Sequence, residues 1–236
     1  GCMMSGAEDD AATELRSFGR RRGRKRSDRQ SRLLQEALPR LAINLKAPAP
    51  VPLGALFPPA PEDVWLEIGF GGAEHLLWQA RHSPSVGLIG CEPFEDGVVK
   101  ALSDIEQHGD QNIRLHADDA RLVLRWLPPA SIARAFVLFP DPWPKAKHRK
   151  RRLVAAPLLD MLARVLRPGA ELRIGTDIGY YARTILMAFQ SEARFEWLAQ
   201  GPDDWRVRPE DWPPTRYEQK AITAGRKPAF FRFKRV

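Results

Sequence analysis

Five carboxylates in this 236-residue chain close short apolar runs. Glu67 ends Val64-Trp65-Leu66, Glu92 follows Val86-Gly87-Leu88-Ile89-Gly90-Cys91, and Asp119 comes two residues after Ile113-Arg114-Leu115-His116-Ala117. Asp141 follows Phe136-Val137-Leu138-Phe139-Pro140, and Asp177 follows Leu172-Arg173-Ile174-Gly175-Thr176. Runs of this kind read as buried strands of a parallel sheet. An acid at or just past each strand end puts all five on the carboxyl edge, where open α/β sheets hold their ligands. Carboxylates placed there accept hydrogen bonds from hydroxyl, amino and ammonium groups. The five histidines form no metal or nucleophile constellation, and Cys2 and Cys91 give neither a disulfide framework nor paired metal ligands, so no metal is expected.

Glu67 opens the most informative local pattern. Val64 through Leu77 reads as strand, glycine turn and helix, with Gly69, Gly71 and Gly72 in the turn. Glycines here let the backbone approach a ligand and leave the first helical amides free. The spacing Gly69-x-Gly71 begins like a dinucleotide fingerprint, but Glu74 stands where the third glycine belongs. Acid-x-Gly-x-Gly after a strand resembles the turn of S-adenosylmethionine-dependent methyltransferases; a purely structural tight turn is the other reading. A carboxylate suits a ligand with an ammonium and a sulfonium and repels a pyrophosphate. Glu92, 25 residues on, is placed for ribose hydroxyls, with helix capping as its plain alternative.

Asp141 lies between Pro140, Pro142 and Pro144, beside Trp143. Each proline lacks an amide donor and fixes its φ, so the chain leaves the sheet as a stiff loop. Lys145, Lys147, Arg149, Lys150, Arg151 and Arg152, with His148, then supply a phosphate-attracting block. A solvated surface loop is the alternative for this stretch.

The elements that must position these residues follow from the rest of the chain. Residues 1–32 read as a flexible basic arm, too charged and too poor in apolar residues to fold alone. Residues 33–61 read as a short helix, with Leu33, Leu34, Ala37, Leu38 and Leu41, and a proline-rich linker over the surface. The folded domain is expected over 62–236. Helical spacing falls on Val98, Leu102 and Ile105, on Leu122, Val123 and Trp126, and on Leu153, Leu158, Leu159, Leu162 and Leu166, the last ending at Arg167-Pro168-Gly169. Thr215 with Glu218 three residues on reads as a capping box or as a substrate contact. The expected fold is a Rossmann-like α/β domain, a mostly parallel sheet with helices on both faces.

The net charge of +8 is unevenly spread. Residues 14–32, 145–152 and 206–236 carry +7, +6 and +6, which leaves −11 on the remainder. An acidic body with three basic segments fits a polyanion partner. No apolar stretch approaches the ~20 residues that span a membrane.

Taken together, Glu67-Ile68-Gly69-Phe70-Gly71, Phe139-Pro140-Asp141-Pro142-Trp143-Pro144-Lys145 with Lys150-Arg151-Arg152-Leu153, Thr176-Asp177 and Thr215-Arg216-Tyr217-Glu218 closely resemble the tRNA (guanine-N7)-methyltransferase family of bacterial type, from about Arg16 to the C-terminus. The resemblance implies a cytoplasmic class I enzyme that methylates N7 of a variable-loop guanosine in tRNA. It makes Glu67, Gly69, Gly71, Glu92, Asp119 and Asp141 cofactor positions, Asp119 for the adenine amino group, with Asp141 also the catalytic candidate. Lys145, Asp177, Thr215, Arg216, Tyr217 and Glu218 become substrate positions, and Lys147 and Arg149 through Arg152 RNA contacts. The chain departs from the family at Ala73, where another glycine is frequent, and at Ala146, where a basic residue is. The resemblance leaves the oligomeric state, monomer or homodimer, undecided. A methyltransferase of another RNA or of a small molecule, a nicotinamide-dependent oxidoreductase and a non-catalytic RNA-binding protein are the competing readings.

Overall fold

The strands form where β-branched and aromatic residues fill both faces of a sheet. The computed structural model describes residues 26–140, 156–177 and 179–236. Its strands are β1 (Asp63–Ile68), β2 (Val86–Cys91), β3 (Ile113–His116), β4 (Ile132–Leu138), β5 (Leu166–Thr176), β6 (Phe195–Trp197) and β7 (Ala229–Arg235). They lie in the order β3-β2-β1-β4-β5-β7-β6. Neighbours among β1 to β5 pair in parallel, whereas β7 runs antiparallel to both β5 and β6. The chain leaves β1 to one side for β2 and returns to its other side for β4. That reversal opens a crevice beyond the carboxyl ends of β1 and β4, the usual ligand site of such sheets.

Helices cover both faces. On one side α3 (Glu74–His82) and α4 (Glu95–His108) bury Leu76, Leu77, Val98 and Leu102 against Leu88 and Leu115. On the other, α5 (Ala120–Trp126), α6 (Ala156–Val165) and α7 (Gly179–Gln190) bury Val123, Leu159, Leu162 and Ile185 with Leu66 and Ile174. Leu166 is not the last residue of α6: it opens β5 and pairs with Ile132, and Arg167, Pro168 and Gly169 are an exposed excursion within that strand, at a register shift. The stop signal was real, but the chain resumes pairing at once.

The first helix starts earlier than the arm boundary at residue 32. It runs as α1 (Asp28–Arg32), a π turn (Leu33–Ala37) and α2 (Leu38–Leu41). Ser27 and Gln30 cap it reciprocally, and Arg26 and Arg29 reach Glu95 and Ser103 of α4, so docking outweighs charge repulsion here. Pro39 cannot donate and its ring crowds the preceding turn, which widens, the Leu38 amide bonding back to Leu33. The proline-rich stretch runs over the surface but is anchored: Leu53 and Phe57 sit in the core. Ile43 donates its amide to Leu115 of β3 at 3.1 Å.

Candidate active site

The turn after β1 is built for close approach. Gly69 and Gly71 take φ 71° and 55°, a region glycine enters without strain. The amides of Gly69 and Phe70 both reach the Cys91 carbonyl, at 2.8 and 3.2 Å. Glu92 then clamps the turn, accepting from the Gly71 amide at 2.8 Å and the Phe94 amide at 2.9 Å, one on each carboxylate oxygen. Burial pushes the Glu92 carboxyl up, the Phe94 and Gly71 amides pull it back, and the Glu67 charge adds to the rise. A Cβ added at Gly69 would meet no atom within 4 Å, so space over the turn is open. Gly97, on the first turn of α4, fits beneath it: a Cβ there would stand 2.2 Å from the Gly71 carbonyl oxygen.

Glu67 points inward from β1 and is buried. Its Oε1 lies 2.5 Å from Nδ1 of His75, on the first turn of α3. His75 Nε2 is 3.1 Å from Gln79 Nε2, which donates to the Asp211 carbonyl at 2.8 Å. Asp119 caps α5, accepting from the Arg121 amide at 2.8 Å, with the Arg121 guanidinium 3.6 Å away. Burial above all pushes the Cys91 thiol up, and the charges of Asp119 and Glu92 add to the rise. Glu67, Glu92, Asp119 and Asp177 thus stand at the carboxyl ends of β1, β2, β3 and β5 in one parallel array. Asp141, Lys145, Lys147, Arg149, Lys150, Arg151 and Arg152 lie outside the described residues, as does Trp143.

The C-terminal motif divides. Thr215 caps α9 (Arg216–Thr223), accepting from the Glu218 amide at 3.3 Å; α8 (Asp203–Arg206) precedes it. Glu218 is buried and pairs with Arg208 at 3.3 Å; burial raises its carboxyl and Arg208 opposes the rise. The Arg216 amide donates to Glu74 at 3.1 Å, joining the starts of α3 and α9. Tyr217 lays its ring over the glycine turn, with its hydroxyl 3.2 Å from where a Gly71 Cβ would be, and stacks parallel to Phe139 at 6.5 Å. Asp177 accepts from Arg226 at 2.8 Å. Glu67, Gly69, Thr215 and Tyr217 line one cavity with His75 and Phe139. Beside it a groove of about 580 Å³ is lined by Arg216, Gln219 and Lys220.

Sequence reasoning missed His75, Gln79, Gly97 and Trp212. Trp212 is fully buried against Phe136, Leu138 and Phe230, and its segment is held where Arg173, a buried strand residue, bonds Asp211 at 2.8 Å. That bond keeps the Asp211 carboxyl below its ordinary range. The available signal was the pair His75 and Gln79 one turn apart on an otherwise apolar helix face. Among the described residues, no group of His, Cys, Asp and Glu is arranged to hold a metal ion, and no helix is long and apolar enough to cross a membrane.

Residues 61–230 match the model of the Methyltransf_4 family, described as "Putative methyltransferase". The chain is 50% identical over 220 residues to the tRNA (guanine-N(7)-)-methyltransferase of Hyphomonas neptunium, covering 93% of this chain and 99% of that one. It is 49% identical over 226 residues to the Rhodospirillum rubrum protein of the same name, covering 94% and 88%. In fold it is similar to a 16S rRNA (adenine(1408)-N(1))-methyltransferase variant from Catenulisporales acidiphilia, with a TM-score of 0.51 at 17% identity over 78% of this chain and 89% of that one.

Proposed function

The chain belongs to the tRNA (guanine-N7)-methyltransferase family, and on that premise we propose that it moves the methyl group of S-adenosylmethionine to N7 of a variable-loop guanosine in tRNA. The observation that carries the reading is one of neighbourhood: Glu67 and Gly69 of the glycine turn line the same small cleft, about 20 Å³, as Thr215 and Tyr217 of the C-terminal motif. The residues fit the cofactor: the space over Gly69 is open, and the Glu67 carboxylate, which suits an ammonium, lines the same cleft as Gly69. When bound, S-adenosylmethionine supplies an electrophilic methyl on a sulfonium.

Guanine N7 is an unprotonated lone pair at neutral pH, so the protein need not remove a proton. Its task is to align the base and to tolerate the positive charge that moves onto the purine. In this reading Glu67 takes the cofactor's ammonium, Glu92 its ribose and Asp119 its adenine amino group. Asp177 and Thr215 through Glu218 hold the flipped guanosine, and Asp141 faces its developing charge. Lys145, Lys147 and Arg149 through Arg152 grip phosphates, and the enzyme works on tRNA in the cytoplasm.

The test is methyl transfer from labelled S-adenosylmethionine to unmodified tRNA transcripts, with the variable-loop guanosine present or replaced by adenosine. Transfer should vanish with the replacement. Equal transfer to both transcripts would move the target elsewhere.

A further inference from the structure

His75 and Gln79 are buried side chains one turn apart on α3, and neither belongs to the motifs on which the family resemblance rests. Their bonds define a protonation state. The Asp211 carbonyl can only accept, so the Gln79 atom 2.8 Å from it is the amide nitrogen. That NH2 also faces His75 Nε2 at 3.1 Å, and its second hydrogen makes Nε2 the acceptor. The one proton of a neutral imidazole is then on Nδ1, 2.5 Å from Glu67 Oε1. A proton on Nε2 would set two donors against each other. The ring is wedged edge-on against Phe136, with centroids 4.6 Å apart.

We propose that His75 is the positioning residue of the cofactor acid: its Nδ1–H fixes Oε1 of Glu67, Oε2 is presented to the ammonium of S-adenosylmethionine, and Gln79 locks the tautomer that makes this possible. The proposal rests on the methyltransferase reading. The neutrality of the ring matters because an imidazolium would already satisfy the Glu67 charge and leave little for the ligand. A neutral donor orients the carboxylate without cancelling it. His75 engages Oε1, and Glu67 lines the cavity. Gln79 is itself anchored on the Asp211 carbonyl at 2.8 Å, a bond that neither the imidazole nor Glu67 has to supply.

The test uses the full chain with ¹⁵N-labelled histidine, and calorimetry with S-adenosylhomocysteine on the parent, His75→Leu and His75→Asn. The parent should show a ring locked as the Nδ1–H tautomer around neutral pH. His75→Leu should bind S-adenosylhomocysteine at least ~10-fold more weakly, as expected for a lost hydrogen bond to a charged group. His75→Asn keeps an N–H near the Nδ1 position and should stay within roughly 3-fold of the parent. Affinity for tRNA should not change in either variant, although a merely structural role would move it too. An imidazolium or Nε2–H ring in the parent, an unaffected His75→Leu, or a His75→Asn as weak as His75→Leu would each overturn the proposal. If His75→Leu does not fold, the ring signal and His75→Asn decide. A parent that binds no S-adenosylhomocysteine would sink the methyltransferase reading itself, while the ring signal would still judge the tautomer.

Discussion

Ala73 enters α3 at φ 67° while fully buried, the one place in the glycine turn where a Cβ is forced into the left-handed region. That conformation costs an L-residue about 1–2 kcal/mol, of which a glycine's freer unfolded chain returns about 0.4–1. Losing the buried methyl costs about a further 0.8 kcal/mol, so Ala73→Gly should leave stability within about 0.5 kcal/mol of the parent, read as a urea midpoint that barely moves at unchanged slope. Glu92 carries a pH prediction. Burial lifts its carboxyl above the ordinary value of 4.5, so on acidification it gains a proton sooner than a free glutamate. Affinity for S-adenosylhomocysteine should fall on the acid side from above the usual carboxylate range and be level by neutral pH; calorimetry over that span checks it. Stability of the unliganded protein has the opposite sign. A raised folded pKa makes the Glu92 contribution most favourable at low pH, and it is lost as pH rises from 4.5 through the folded value. The acids themselves were legible because each closes an apolar run. His75 was not: its partner Glu67 is eight residues upstream, and only the tight reversal at Gly69 and Gly71 brings them together.

At the scale of elements, the contact between the glycine turn and α4 is the narrowest fit in the site. Gly97→Ala would place a methyl 2.2 Å from the Gly71 carbonyl oxygen, and the obstacle is backbone, which cannot rotate away. The helix or the turn must move, at about 1–3 kcal/mol of stability. Because Gly71 also donates to Glu92, S-adenosylhomocysteine affinity should drop with it. A Gly97→Ala protein with parental melting temperature and affinity would show that the turn has slack. The strand and helix sequence around this contact was readable from periodicity and punctuation. The fit was not, since Gly97 lies in an acidic helix start, Glu95-Asp96-Gly97, that gives no hint of what packs on it. The strand start at Leu166 was hidden for a related reason: apolar spacing carries on unbroken from α6 into a residue that pairs with Ile132.

For the whole molecule, the uneven charge carries the prediction about RNA. Each phosphate neutralised releases counterions, so tRNA affinity should fall linearly with the logarithm of salt concentration. Removing residues 1–25 takes away Arg16, Arg20, Arg21, Arg22, Arg24 and Lys25 but spares the capped helix at Asp28. The shortened enzyme should show a shallower salt slope and a higher KM for tRNA with a smaller loss of kcat; an unchanged slope would give the arm another task. This charge pattern was plain in the sequence. The docking of the helical segment that follows was only half visible, because Leu33 and Ala37 advertise an apolar face but not the partner it meets.

That docking has a consequence for assembly. A sheet ends in two rows of unpaired amides and carbonyls, each a template for another chain. Here the β6 end is only three residues long, and at the β3 end the backbone at Ala42 and Ile43 lies along Leu115. The N-terminal segment is therefore a stopper as well as a support. Take it away past Ile43 and the molecule acquires an open border. Light scattering should then report growing intermolecular sheet, because the few residues at Ala42 and Ile43 keep one copy of the protein from recruiting the next.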